Sequence, residues 1–214
     1  MVWLTCTAWQ HIESMPWDAQ ATEILVHWQA QPLPLMVTRQ RMDAAPGQVC
    51  LGLPAPAQWG KRKLELQVDR QHLSVRTACP TLAEVAQPHN WRDAGLDLHA
   101  ALMAQGVQSR VHGSYAWQHL TGLVYVHPSS DIDLHLNVEN MDQAAWAVEQ
   151  LVQAQLPQRL DGELIFSGGA AVAWREFAQL TQGKVAQVLL KDLRSVRLVT
   201  ADDLHTLCAT GTLA

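Results

Sequence analysis

Cysteine is scarce and scattered in this chain of 214 residues. Cys6, Cys50, Cys79 and Cys208 show no C-x-x-C spacing, which excludes the common zinc motifs and offers no disulfide framework. Free thiols, as in a reducing cytosol, are the expectation. A basic excess is also missing. Twenty acidic residues against 15 basic ones leave a formal net charge of −5, which argues against a protein that relies on nonspecific attraction to nucleic acid. No apolar run reaches the roughly 18 residues that a membrane-spanning helix requires. The N-terminus has no basic n-region and sets Gln10, His11 and Glu13 within its apolar stretch, so no signal peptide is expected and a cytoplasmic location is. Internal repeats and low-complexity segments are absent.

With 48% hydrophobic residues the chain can bury one good core or two small ones. Two domains are expected. Residues 1–88 read as a small β-rich module, with strand-like runs at 24–28, 35–39, 49–53, 64–68 and 73–76 between Pro- and Gly-bearing turns. Within it the basic run Lys61-Arg62-Lys63 stands beside Trp59, read as exposed; it fits a polar turn, or a surface complementary to an acidic partner protein. A short helix is expected at 81–87 and a boundary at Pro88-His89-Asn90. From Trp91 the period changes. Leu96, His99, Ala100 and Met103 fall at helical spacing, with Asp93 as cap and Gly106 as stop. A second helix, capped by Asn140 or Asp142, carries a buried stripe of Ala145, Val148, Leu151 and Val152. Strands are expected at 160–166, 171–174, 185–190 and 196–200. Residues 89–214 thus predict an α+β domain, an antiparallel or mixed sheet flanked by helices.

Chemistry concentrates in residues 109–136. The run Asp131-Ile132-Asp133-Leu134-His135-Leu136 alternates polar and apolar, so a strand puts both aspartates on one face and the aliphatics on the other. Two carboxylates held side by side can clamp a divalent metal ion, although such a strand also fits the wet face of an edge strand. Upstream, Arg110-Val111-His112 reads as a strand that ends in Gly113-Ser114 before a helix. This turn offers backbone N–H groups, a hydroxyl and a helix N-terminus to a phosphate. On the strand 160–166, Asp161, Glu163 and Ile165 share a face. His112, His119, His127 and His135 lack an H-x-x-x-H pair and do not suggest zinc; His135, on the aspartate face, is the candidate to line a pocket. Lys184, Lys191, Arg194 and Arg197 are the cations available to a polyphosphate, and Lys191 and Arg194, at a strand exit, are favoured.

Gly-Ser on one strand and Asp-x-Asp on the next resemble the signature of the nucleotidyltransferase superfamily. The wording GSYAWQHLTGLVYVHPSSDIDL closely resembles one branch, the malonate decarboxylase holo-acyl-carrier-protein synthases, or phosphoribosyl-dephospho-CoA transferases. The resemblance continues through Arg159-Leu160-Asp161-Gly162-Glu163-Leu164 and Ala171-Val172-Ala173-Trp174-Arg175-Glu176, and more loosely reaches back to residues 48–53. It implies a nucleotidyltransferase-like sheet with Mg2+ or Mn2+ held by Asp131, Asp133 and a third carboxylate. Asp161 is favoured for that third place and for general base, with Glu163 the alternative. Gly113, Ser114 and Lys191 would hold the triphosphate. The implied reaction moves the prosthetic group of triphosphoribosyl-dephospho-CoA onto a serine of the apo acyl-carrier subunit of malonate decarboxylase, releasing pyrophosphate. A different Mg-dependent nucleotidyltransferase would use the same residues; a catalytically silent binding module would be expected to have lost an aspartate.

Overall fold

The computed structural model describes residues 1–41 and 45–210, in two compact units.

The first unit comprises Met1–Ala78 and Trp117–Tyr125. Its elements are β1 (Val2–Leu4), α1 (Cys6–Glu13), α2 (Ala19–Ala30), β2 (Met36–Val37), β3 (Gln48–Pro54), β4 (Lys63–Asp69) and β5 (Leu73–Arg76). Strands β2, β3 and β4 form an antiparallel sheet in that order, and β1 pairs antiparallel with β5. Residues 24–28 are not the expected strand. Asp18 caps a helix there, its Oδ1 accepting from the Ala21 N–H at 2.9 Å. Ala21, Ile24, Leu25 and Trp28 then fall at i, i+3, i+4 and i+7 and are all buried, so a helical period of about 3.6 residues overrode the local β propensity of Ile-Leu-Val. Trp59 is not exposed either. It keeps 7% of its surface and donates from Nε1 to Glu23 Oε1 at 2.7 Å, while Arg62, from the basic run, pairs with Asp18. Arg62 thus ties that run to Asp18 at the start of α2.

The second unit comprises Cys79–Ala116 and the chain from Val126 onward. In order it contains α3 (Leu82–Ala86), α4 (Arg92–Ala104), β6 (Gln108–His112), the first turn of α5 (Gly113–Thr121), β7 (Ile132–Asn137), α6 (Met141–Gln153), β8 (Leu160–Ile165), β9 (Ala171–Ala173), α7 (Trp174–Thr181), β10 (Val188–Lys191), β11 (Val196–Val199) and α8 (Ala201–Thr210). Residues 79–88 pack here: Thr81 and Glu84 close a capping box on α3, and Leu82, Val85 and Ala86 enter this unit's core. The sheet runs β11-β10-β9-β8-β7-β6. Only the β7–β8 step is parallel, and α6 supplies the crossover that such a step requires.

Helix α4 turns Gly95, Leu98 and Leu102 inward, rather than Ala100 and Met103, and its N-cap is Trp91, with Asp93 in the first turn. Asn140 caps α6, whose inner face is Met141, Ala144, Ala147, Val148 and Leu151; Val152 is exposed. Trp174 opens a helix that the reading as strand missed, with Trp174, Phe177 and Leu180 buried on one side. Val111, Ile132, Leu134, Leu136, Leu164, Val172 and Leu190 line the covered face of the sheet, where truncating any one leucine to alanine costs about 2–5 kcal/mol. The opposite face carries the polar partners of that alternation. Among the described residues, no helix is long and apolar enough to cross a membrane.

Candidate active site

Strand period and strand register together assemble the site. Along β7 the alternation is realised: Ile132, Leu134 and Leu136 are buried, while Asp131, Asp133 and His135 stay partly open. Register then adds neighbours from both sides. His112 of β6 stands opposite Asp133, and across the parallel step Asp133 stands opposite Asp161, and His135 opposite Glu163. A cleft of about 430 Å3 lies over these residues, lined by His112, Gly113, Asp133, His135, Asp161 and Glu163 together with Gly162, Ala173 and Lys191.

Two glycines let the backbones come this close. At Gly113 φ is +60°, and a Cβ would lie 2.0 Å from Asp133 Oδ2, so the bare α-carbon at the start of α5 leaves room for the carboxylate. At Gly162 φ is +132°, and a Cβ would lie 1.8 Å from the Leu134 carbonyl oxygen. The glycine of Asp-Gly-Glu is thus required by the approach of β8 to β7. Ser114 follows in the first turn of α5, half-buried, and is not one of the residues lining the cleft.

The charges are paired in two groups. Arg159, just before β8, donates from Nη2 to Asp161 Oδ2 at 3.0 Å and brings Nε within 3.7 Å of Asp131 Oδ2. Lys191 Nζ donates to Glu163 Oε1 at 2.8 Å, and the other oxygen of Glu163 stands 3.6 Å from His135 Nε2. His135 stacks on His112 with ring centroids 3.4 Å apart and planes inclined by 23°. Burial pushes the Asp133 carboxyl above its ordinary range, and the negative charges of Asp161 and Asp131 push the same way. Burial, with the neighbouring His135, holds His112 down at about 3. His135 is lowered as well, because burial outweighs the pull of Glu163. Both rings are therefore neutral at neutral pH.

The structure brings together Asp133, Asp161, Gly113 and Lys191 in one cleft, with Asp131 joined to Asp161 through Arg159. Arg194 lies exposed in the β10–β11 turn, outside the cleft lining, and its backbone N–H is bound by Asp192. His112 lines the cleft, which the sequence did not suggest; its face follows from the β6–β7 register, and no local signal carries that. Arg159 was also missed as a site residue. Its signal was present, two positions before Asp161 and so on the same strand face. Three carboxylates are hard oxygen donors suited to Mg2+ or Mn2+. Among the described residues, no group of three or more His, Cys, Asp or Glu is already arranged to hold a metal ion.

The fold and site define an α+β protein with carboxylates grouped on the open face of a mixed sheet, beside a helix that starts on a bare glycine. Residues 73–202 match the model of the phosphoribosyl-dephospho-CoA transferase MdcG C-terminal domain, and residues 1–80 that of its N-terminal domain. The chain belongs to this family. It is 39% identical over 210 residues to a phosphoribosyl-dephospho-CoA transferase of Xanthomonas axonopodis pv. citri (strain 306), covering 93% of this chain and 92% of that one. To the protein of the same name from Bradyrhizobium diazoefficiens it is 32% identical over 203 residues, covering 93% and 88%. No solved structure gives a significant match.

Proposed function

We propose that this protein moves the phosphoribosyl-dephospho-CoA group from triphosphoribosyl-dephospho-CoA to a serine of the apo acyl-carrier subunit of malonate decarboxylase. The observation that supports this most is the in-register pair Asp133–Asp161 facing Gly113, in a chain whose relatives carry that transferase name over nearly their whole length. The serine oxygen attacks the α-phosphorus of the triphosphate, the bond to the bridging oxygen breaks, and pyrophosphate leaves. Asp161 takes the serine proton. Asp161 stands directly opposite Asp133 across the β7–β8 step, whereas Glu163 stands opposite His135, so Asp161 is the better third member beside Asp131 and Asp133.

Asp131, Asp133 and Asp161 would hold Mg2+ or Mn2+, which supplies positive charge against the phosphate oxygens. Gly113 and the N–H groups opening α5 receive the leaving phosphates, with Ser114 as an adjoining hydroxyl donor. Lys191, on the wall next to Glu163, adds a cation at the cleft. The stacked histidines line the cleft beside Asp133, His112 standing opposite it on β6. The reaction belongs in the cytoplasm, where the four free thiols stay reduced. The test is a mass spectrum of the apo carrier subunit after incubation with donor and Mg2+. A mass gain equal to the donor minus pyrophosphate is expected on one serine. A carrier that gains AMP from ATP, or a different acceptor labelled in its place, would assign the chain to another nucleotidyltransferase activity.

A further inference from the structure

The carboxylate cluster already contains a cation, and the protein supplies it. Asp131 and Asp161 are bridged by one guanidinium: Arg159 meets Asp161 Oδ2 at 3.0 Å through Nη2 and Asp131 Oδ2 at 3.7 Å through Nε. The pairing is loose in one respect and firm in another. The Arg159 side chain keeps 60% of its surface open to solvent, so the guanidinium is held mainly by its ion pairs. Its backbone is fixed, since the Arg159 carbonyl accepts from the Ile132 N–H at 2.9 Å and ties the entry of β8 to the start of β7. A long flexible side chain on a pinned backbone can leave the carboxylates without disturbing either strand. Glu163, by contrast, is held by a different cation, Lys191, through one oxygen and stands near His135 through the other.

We propose that Arg159 is an internal counter-ion of the cluster: its guanidinium stands in for a divalent cation between Asp131 and Asp161 and is displaced when that cation binds. The proposal rests on reading the cluster as a metal clamp. The role is competition. In the metal-free protein the arginine neutralises carboxylates that would otherwise repel one another across the β7–β8 register, and a metal ion must exchange for it. The affinity of the free protein for a divalent ion is therefore set lower than the carboxylates alone would give.

The experiment is a titration of the full chain with Mn2+ alone, free Mn2+ being followed by electron paramagnetic resonance, for wild type, Arg159→Ala, Arg159→Gln and Asp133→Asn. An exposed ion pair contributes little, so removal of the competitor is expected to tighten Mn2+ binding by about three- to tenfold in both arginine variants, with the number of ions unchanged. Glutamine keeps most of the side-chain length without the charge, so agreement of the two variants excludes an effect of lost packing. Mn2+ binding equal to or weaker than wild type in either variant overturns the counter-ion role. That result is distinct from failure of the clamp: if wild type binds no Mn2+, or Asp133→Asn binds it as well as wild type, the metal reading falls and the proposal with it.

Discussion

Substitution of Gly113 by alanine tests the geometry at the centre of the site. The residue sits at φ +60°, a conformation that costs an L residue about 1–2 kcal/mol. The added methyl carbon would start 2.0 Å from Asp133 Oδ2. An ordinary carbon–oxygen contact is about 3.3 Å or more, so the carboxylate must retreat by about 1 Å. The opposite strand leaves it little choice of direction, because Asp133 is flanked in register by His112 on one side and Asp161 on the other. Misplacing a reacting or ligating group by about 1 Å can cost on the order of 100-fold in rate, or about 2.7 kcal/mol in the barrier. Strain and displacement together should lower the melting temperature by about 2–8 °C, leaving the variant folded at 25 °C. The carrier mass shift, followed over time at saturating donor, measures the rate; circular dichroism on heating measures the stability. Transfer within tenfold of wild type in a folded variant would refute the claim that the bare α-carbon makes room for Asp133.

Asp131→Asn and Asp133→Asn keep the shape of the strand and should melt within a few degrees of wild type, yet lose at least about 100-fold in transfer rate; activity within tenfold, a barrier change of only about 1.4 kcal/mol, would remove them from the site. Gly162→Ala meets both the φ of +132° and the Leu134 carbonyl, so it is expected to destabilise the protein by about 3 kcal/mol or more, read from urea denaturation, and a loss below about 1 kcal/mol would contradict the close β7–β8 approach. The pH dependence follows from His112. Its folded pKa of about 3 lies below the roughly 6.5 of an unfolded histidine, so below pH 6.5 the unfolded chain takes up a proton that the folded one refuses. Stability is full above about pH 6.5 and falls as the pH drops toward 3. His112→Gln should show a shallower acid slope in thermal melts, and an unchanged slope would mean that the ring is not held neutral.

Two kinds of structure were legible from residues alone, and both are local. Alternation over 131–136 and 160–166 was enough to place Asp131, Asp133 and His135 on one face and Asp161 and Glu163 on another, since side chains along a strand repeat with period two. Gly113, Gly106 and the capping residue Asn140 announced ends and starts because turns and helix termini are satisfied by neighbours in sequence. Short apolar runs were ambiguous for the opposite reason. Residues 24–28 suit a strand until Asp18 and Ala21 are counted with them, and Trp174 belongs to a helix whose buried face is completed only at Leu180. The wording of residues 113–134 carried the family reading, but not the arrangement of the site. That Asp133 faces Asp161, that His112 closes on His135, and that Lys191 takes Glu163 depend on strand order and register, which are set by pairing between segments far apart in the chain. Gly162 shows how the two levels join: its identity is written in the sequence, but the need for it exists only where the Leu134 carbonyl crosses the place a side chain would occupy.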